Sequence, residues 1–243
     1  MDNVVLTDVH KIFPRRYGAA TVRQQQMTRG RASGSDEALA GVSLTLAPGD
    51  VLGVVGRRGA GRSTLLSVVQ GLYRPDRGEV MVRGRTGGLV SMGAGFAGYL
   101  SVESAMQINA GFLGMTRDQL ERARPDVLEF AGLGGAALGF PMREIDAPRR
   151  RRLAYAMAVA SAPNVFLADG LVAVGGEDER NACLARLESL AGDGHTLVVA
   201  TNRAQVLRRL ATKVLVLDAG HVSFLGRTAA GIKHFKKLRR QTD

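Results

Sequence analysis

The stretch Val51-Leu52-Gly53-Val54-Val55-Gly56-Arg57-Arg58-Gly59-Ala60-Gly61-Arg62-Ser63-Thr64-Leu65-Leu66-Ser67-Val68-Val69 decides the fold. Its first five residues form a short apolar run, which predicts a buried strand. The run from Thr64 predicts the first turns of a helix. Between them, Gly56, Gly59, Ala60 and Gly61 have the spacing of a Walker A phosphate loop, in the strand–loop–helix context that gives such a motif structural meaning. Glycines let the backbone wrap tightly, so successive N–H groups and the helix N-terminus converge on a phosphate. Ser63 is the hydroxyl expected beside Mg²⁺, and Thr64 completes the loop. The position that calls for lysine holds Arg62.

The chain of 243 residues has room for one sizeable domain, or one domain with a subdomain. The single Cys183 excludes a disulfide framework and suits a reducing compartment. The N-terminus lacks the basic start and apolar core of a signal peptide. No apolar run approaches the roughly 20 residues that span a bilayer. The net charge is +11 and nearly all of it is arginine, since lysine occurs only at Lys11, Lys213, Lys233, Lys236 and Lys237. Two readings fit that charge: an anionic partner, or a solvated basic surface. The tail from Lys233 to Arg240 is dense enough to suggest contact with a membrane surface.

Away from the loop, Val4-Val5-Leu6 reads as a short strand, with Phe13-Pro14 closing the first element. Residues 14–38 read as an extended hairpin or a loose basic loop. Val42 to Leu46 alternates as a strand, and Gly78–Arg83 and Leu89–Met92 read as further strands. Residues 94–163 change character to helical patterns at Ser101–Phe112, Thr116–Ala131 and Arg149–Ser161. Thr116 and Gln119 there form an expected capping box. After Pro163 strands and helices alternate again: Val165–Ala168, Glu177–Ala191, Thr196–Ala200, a short helix from Arg203, and two strands around the turn Asp218-Ala219-Gly220. The expected class is α/β, with a helical insert interrupting the core.

In their order, these motifs resemble the nucleotide-binding subunit of an ABC transporter over nearly the whole chain. The resemblance implies a P-loop NTPase fold of the ABC type, with antiparallel β elements and a helical subdomain inserted in the core. It assigns residues 1–93 and 164–243 to the core and 94–163 to the insert. Leu167-Ala168-Asp169 running into Val172–Gly175, and Gly93-Ala94-Gly95-Phe96, are similar to the short ATP-binding proteins of capsular-polysaccharide exporters. The chain is expected to leave no room for the C-terminal carbohydrate-binding domain of longer O-antigen relatives.

The resemblance implies roles residue by residue. Phe13 fits the aromatic that stacks on adenine, with a core position as the alternative. Asp169 fits the Walker B carboxylate that holds Mg²⁺, with a turn aspartate as the alternative. ATP and Mg²⁺ are the implied ligands, and membrane permease subunits and a second nucleotide-binding subunit the implied partners. The implied place is the cytoplasmic face of the inner membrane. Against this stand five substitutions: Arg62 for the loop lysine, Ala97 for the glutamine after Phe96, Pro148 for the signature glycine, Gly170 for the water-orienting glutamate and Thr201 for the switch histidine. Loss of a general base alone costs about 10² to 10⁴ in rate. The expectation is therefore a non-hydrolysing transporter subunit, regulatory or scaffolding, with no catalytic residue of its own. The competing readings are a working export ATPase with divergent motifs, and a basic module that binds nucleic acid or another polyanion. Nucleic acid is disfavoured because aromatics are only 5% and tryptophan is absent.

Overall fold

The computed structural model describes residues 2–14, 35–89, 96–170 and 176–240. The expectations for most of the basic segment 14–38, for Val90–Gly95 and for Val172–Gly175 lie outside the described residues.

Six strands form the main sheet, in the order β5 (Thr86–Gly88), β6 (Val165–Asp169), β7 (Thr196–Ala200), β3 (Val51–Gly56), β8 (Lys213–Asp218), β9 (His221–Arg227). Neighbours from β5 to β8 run parallel, and β9 is antiparallel to β8. The continuous apolar runs follow from this topology. Every residue of β3 and β7 is buried, because helices or a second sheet cover both faces. The edge strand β9 instead alternates between exposed and half-buried residues. Its tight turn from β8 uses Ala219 and Gly220, both with positive φ (46° and 84°), as two-residue hairpins require.

A second, antiparallel sheet has the order β2 (Ser35–Leu46), β1 (Val4–Pro14), β4 (Arg77–Val82). Both β1 and β2 run longer than their apolar patterns predict. Their far halves set charged residues opposite apolar ones, Lys11 with Leu39 and Ile12 with Glu37, across irregular register.

Helix α1 (Arg62–Val69) buries Leu65, Leu66, Val68 and Val69 between the two sheets. Alternate residues of β6 then face opposite cores. Val165 and Leu167 join α1, whereas Phe166 and Ala168 meet Cys183 and Leu187 of α5 (Glu177–Gly192). The region between β5 and β6 is helical: α2 (Val102–Phe112), α3 (Arg117–Ala131) and α4 (Ala147–Ala160). They share a core of their own around Met106, Val127, Leu153 and Met157. The capping box at Thr116 forms as its spacing predicts, with Gln119 N–H donating to Thr116 Oγ1 at 3.2 Å and Thr116 N–H to Gln119 Oε1 at 2.8 Å.

Three links join α3 and α4 to α5. Arg186 makes a bidentate pair with Asp126 at 2.6 Å on each arm, and its guanidinium lies 4.3 Å from the Phe130 ring centroid. Tyr155 donates its hydroxyl to the Cys183 carbonyl at 2.7 Å, and burial pushes its phenol pKa well above the ordinary value. Arg152 also pairs with Glu179, which explains part of the basic run at the start of α4: one of its cations is a tie to α5. The remaining two helices, α6 (Ala204–Leu210) and α7 (Thr228–Arg240), pack against β8 and β9 or one another.

Candidate functional site

Because β3, β7 and β6 are parallel neighbours, their C-terminal ends share one edge of the sheet. Gly56 ends β3, and Asp169 ends β6 opposite Ala200 of β7. The phosphate-type loop and the carboxylate thus flank β7, about 10 Å apart across two strand spacings.

Four contacts fix the loop. Gly61 has φ 97° and is the N-cap of α1, and a Cβ there would meet the Ala38 carbonyl of β2 at 2.2 Å. The turn residue Gly220 donates its N–H to the Ala60 carbonyl at 3.3 Å, and Arg57 donates to the Leu238 carbonyl of α7 at 3.0 Å. From the segment just past the end of β7 comes Asn202. Its Oδ1 accepts the Gly56 N–H at 3.2 Å and its Nδ2 donates to the Gly56 carbonyl at 2.9 Å. Thr201, the residue expected at the switch position, is buried, and its hydroxyl accepts the Arg203 N–H at 3.2 Å. So the side chain from this segment that reaches the loop is Asn202, the residue after Thr201.

The helix N-termini differ in a way that bears on anion binding. The N-cap of α1 is a glycine with no capping side chain, so the first-turn amides of Arg62, Ser63 and Thr64 lack an intrahelical acceptor. Ser63 is exposed, and Arg62 is half-buried with its Cδ 3.6 Å from where a Gly56 Cβ would sit. Among the described residues, the Arg62 side chain has no ion pair or hydrogen bond. At α4 the situation is reversed. Asp146 caps the helix by accepting the Arg149 N–H at 2.8 Å and also pairs with the Arg149 guanidinium at 3.2 Å, while Pro148 supplies no amide. That terminus is already occupied by the chain's own carboxylate.

The other candidates are placed as follows. Phe13 lies in β1 opposite Asp36, two residues along β2 from the Ala38 that touches Gly61, and packs edge-on to Tyr73 at 5.2 Å with Lys11 at 5.4 Å from its centroid. Gly170 follows Asp169 with φ 73°, a left-handed conformation held by its N–H donating to the Ala200 carbonyl at 2.9 Å. Ala97 is half-buried at the entry to the helical region. As for Mg²⁺, Ser63 and Asp169 offer one hydroxyl and one carboxylate on the same sheet edge. Such a sparse set suits an ion that keeps most of its water and phosphate ligands.

Residues 39–97 match the family described as ABC transporter. The chain is 31% identical over 240 residues, 93% of its length, to the O-antigen export system ATP-binding protein RfbB of Myxococcus xanthus. It is 26% identical over 200 residues, 82% of its length, to the teichoic acids export ATP-binding protein TagH of Lactiplantibacillus plantarum. It spans 54% of the length of each of these two proteins. Among solved structures, a dimeric ATP-binding cassette, MJ0796, in a post-hydrolysis state bound to ADP and Pi, superposes with a TM-score of 0.72 at 20% identity. That match covers 93% of this chain and 98% of the cassette.

Proposed function

We propose a non-hydrolysing role in polysaccharide export for this chain, which carries an ABC transporter ATP-binding domain similar to those of O-antigen and teichoic acid exporters. The observation that carries the reading is the contrast between the two helix N-termini. The end of α1 is open and glycine-capped, so the half-site for a nucleotide phosphate persists. The end of α4 is closed by Asp146 and Pro148, so it offers no such site to a partner's nucleotide.

On this reading Gly56, Gly59, Ala60, Gly61, Arg62, Ser63 and Thr64 hold the phosphates of ATP weakly. Phe13 borders the base, and Ser63 and Asp169 hold Mg²⁺, which would screen charge between the phosphates. Residues 94–163 act as the helical subdomain. Its exposed apolar side chains Tyr99, Ile108, Phe112 and Phe140 supply a contact surface for a membrane permease. The chain works beside that permease at the cytoplasmic face of the membrane, paired with a second nucleotide-binding subunit. No helix among the described residues is long and apolar enough to cross a membrane itself.

Arg62 keeps the positive charge of the missing lysine, but its planar fork is bulkier and less able to curl around phosphates. Gly170 offers no carboxylate to activate water. Calorimetry of ATP binding with and without Mg²⁺, run beside a phosphate-release assay, tests the proposal. Weak binding without turnover supports it. Turnover that Asp169→Asn abolishes would overturn it in favour of a working ATPase.

A further inference from the structure

A cavity of about 740 Å³ lies away from the phosphate loop, along α7 where it meets α6 and β9. Its rim carries Arg208 of α6 and Lys233, Lys236, Lys237 and Arg240 of α7. Its floor is apolar: Phe224, Ala229 and Ile232. Among the described residues no acidic side chain lines it. Seven cations elsewhere are paired with carboxylates, at Arg124, Arg149, Arg152, Arg186, Arg209, Lys11 and Lys213. Among the described residues the five cations here have no ion pair. Three of the chain's five lysines stand on this one helix face.

The spacing 233, 236, 237, 240 is that of one side of a helix, so four charges form a stripe about 10 Å long. Phe235, on the opposite side of α7, is packed into the core with Val214 and Val216, while Ile232 lies between the two sides, buried against that core and lining the cavity floor. That placement separates the candidate partners. A membrane-surface helix sinks its own apolar face into lipid, and here that face is unavailable. Single-stranded nucleic acid needs open aromatic faces, whereas Phe224 is stacked on His234 at 5.5 Å. A concave apolar floor ringed by flexible ammonium groups fits an inserted apolar side chain flanked by carboxylates.

We infer that this cavity is a docking site for an acidic amphipathic helix of a partner protein, with an aromatic or aliphatic anchor on the floor between Phe224 and Ile232 and carboxylates facing Lys233, Lys236, Lys237 and Arg240. The site is independent of nucleotide binding. The partner's charges repeat at i, i+3, i+4 and i+7, matching the stripe.

The test is fluorescence anisotropy with the full chain and a labelled helical peptide of about 14 residues, bearing glutamates at that spacing and one phenylalanine on the same face. The same peptide with glutamine for glutamate is the control. Binding of the acidic peptide, weakened at least about tenfold by Lys233→Glu with Lys237→Glu and independently by the cavity-filling Ala230→Trp, is the expected result. All three positions are exposed, and a thermal melt confirms that the variants fold. The inference is overturned if the acidic peptide binds no better than its control, or if neither variant weakens it. Tighter binding of vesicles containing about 30% phosphatidylserine, or of single-stranded DNA, at the same salt also overturns it.

Discussion

The carboxamide of Asn202 grips the peptide group of Gly56 from both sides, accepting its N–H at 3.2 Å and donating to its carbonyl at 2.9 Å. The first glycine of the phosphate loop is thereby tied to the end of the neighbouring strand β7. An amide side chain can do this because it carries a donor and an acceptor on one planar group. Asn202→Ala removes both bonds and should lower stability by about 1–2 kcal/mol. Urea denaturation measures that loss. Hydrogen exchange of the loop amides should accelerate more than that of the β3 interior, whereas uniform acceleration would show that Asn202 supports the sheet as a whole.

Arg186 is the second fixed point, because it joins α5 to α3 through both charge and packing. Its pair with Asp126 is partly exposed and is worth under about 1 kcal/mol, and its stacking on Phe130 adds about 0.5–1 kcal/mol. Arg186→Ala should therefore cost more stability than Asp126→Asn, which leaves the stacking in place. The Arg186 hydrogen bonds hold the Asp126 carboxyl below its ordinary pKa, outweighing partial desolvation. With a depressed folded pKa, the stabilisation is present above about pH 4 and fades as pH falls through the folded value. Melts of wild type and Asp126→Asn should converge at low pH and differ at neutral pH.

His10 gives the opposite pH signature. Its Nδ1 lies 2.7 Å from Glu37 Oε1 and its Nε2 3.2 Å from Asp8 Oδ1, which links β1 to β2. The Glu37 hydrogen bond is the main cause that raises its pKa above the ordinary 6.5, against a smaller lowering by desolvation. A raised folded pKa means the stabilisation is complete below pH 6.5 and is lost as pH climbs through the folded value. The Tm gap between wild type and His10→Gln should be largest in mildly acidic solution below the ordinary 6.5 and close as pH rises past the raised folded value. A gap that is flat with pH would show that the imidazole acts only through packing.

Much of this architecture is legible in the sequence, for identifiable reasons. The parallel strands β3, β6, β7 and β8 stand out because burial on both faces demands continuous apolar runs. The far halves of β1 and β2 do not, since Asp36 and Glu37 there are exposed and carry no apolar period. The contact of Asn202 with Gly56 carries no local signal either, since nothing in the sequence sets Asn202 apart from its neighbour Thr201. Successive residues at a strand end point to opposite sides, so Thr201 is buried while Asn202 reaches the loop. The Asp146 cap was available to composition alone, as an aspartate followed by a proline inside the first turn. The pairing of Arg152 with Glu179 joins residues 27 apart in sequence and leaves no local signal.

The glycine at 170 and the arginine at 62 differ in what reverting them can achieve. Arg62→Lys changes only the side chain at the open end of α1, where first-turn amides remain free and Gly61 keeps the loop's shape. It should tighten ATP binding, read by calorimetry, without producing turnover. Gly170→Glu restores a carboxylate to a position whose backbone stands at φ 73°, which costs a non-glycine residue about 1–2 kcal/mol. The strained conformation is anchored by the bond to Ala200, so the new side chain cannot adopt an ordinary strand geometry without breaking it. The variant should be less stable and still inactive, and the double variant should bind like Arg62→Lys alone. Phosphate release by the double variant at a rate well above wild type would show that the closed end of α4 is no barrier to hydrolysis, and that the losses at these two positions alone silence the site.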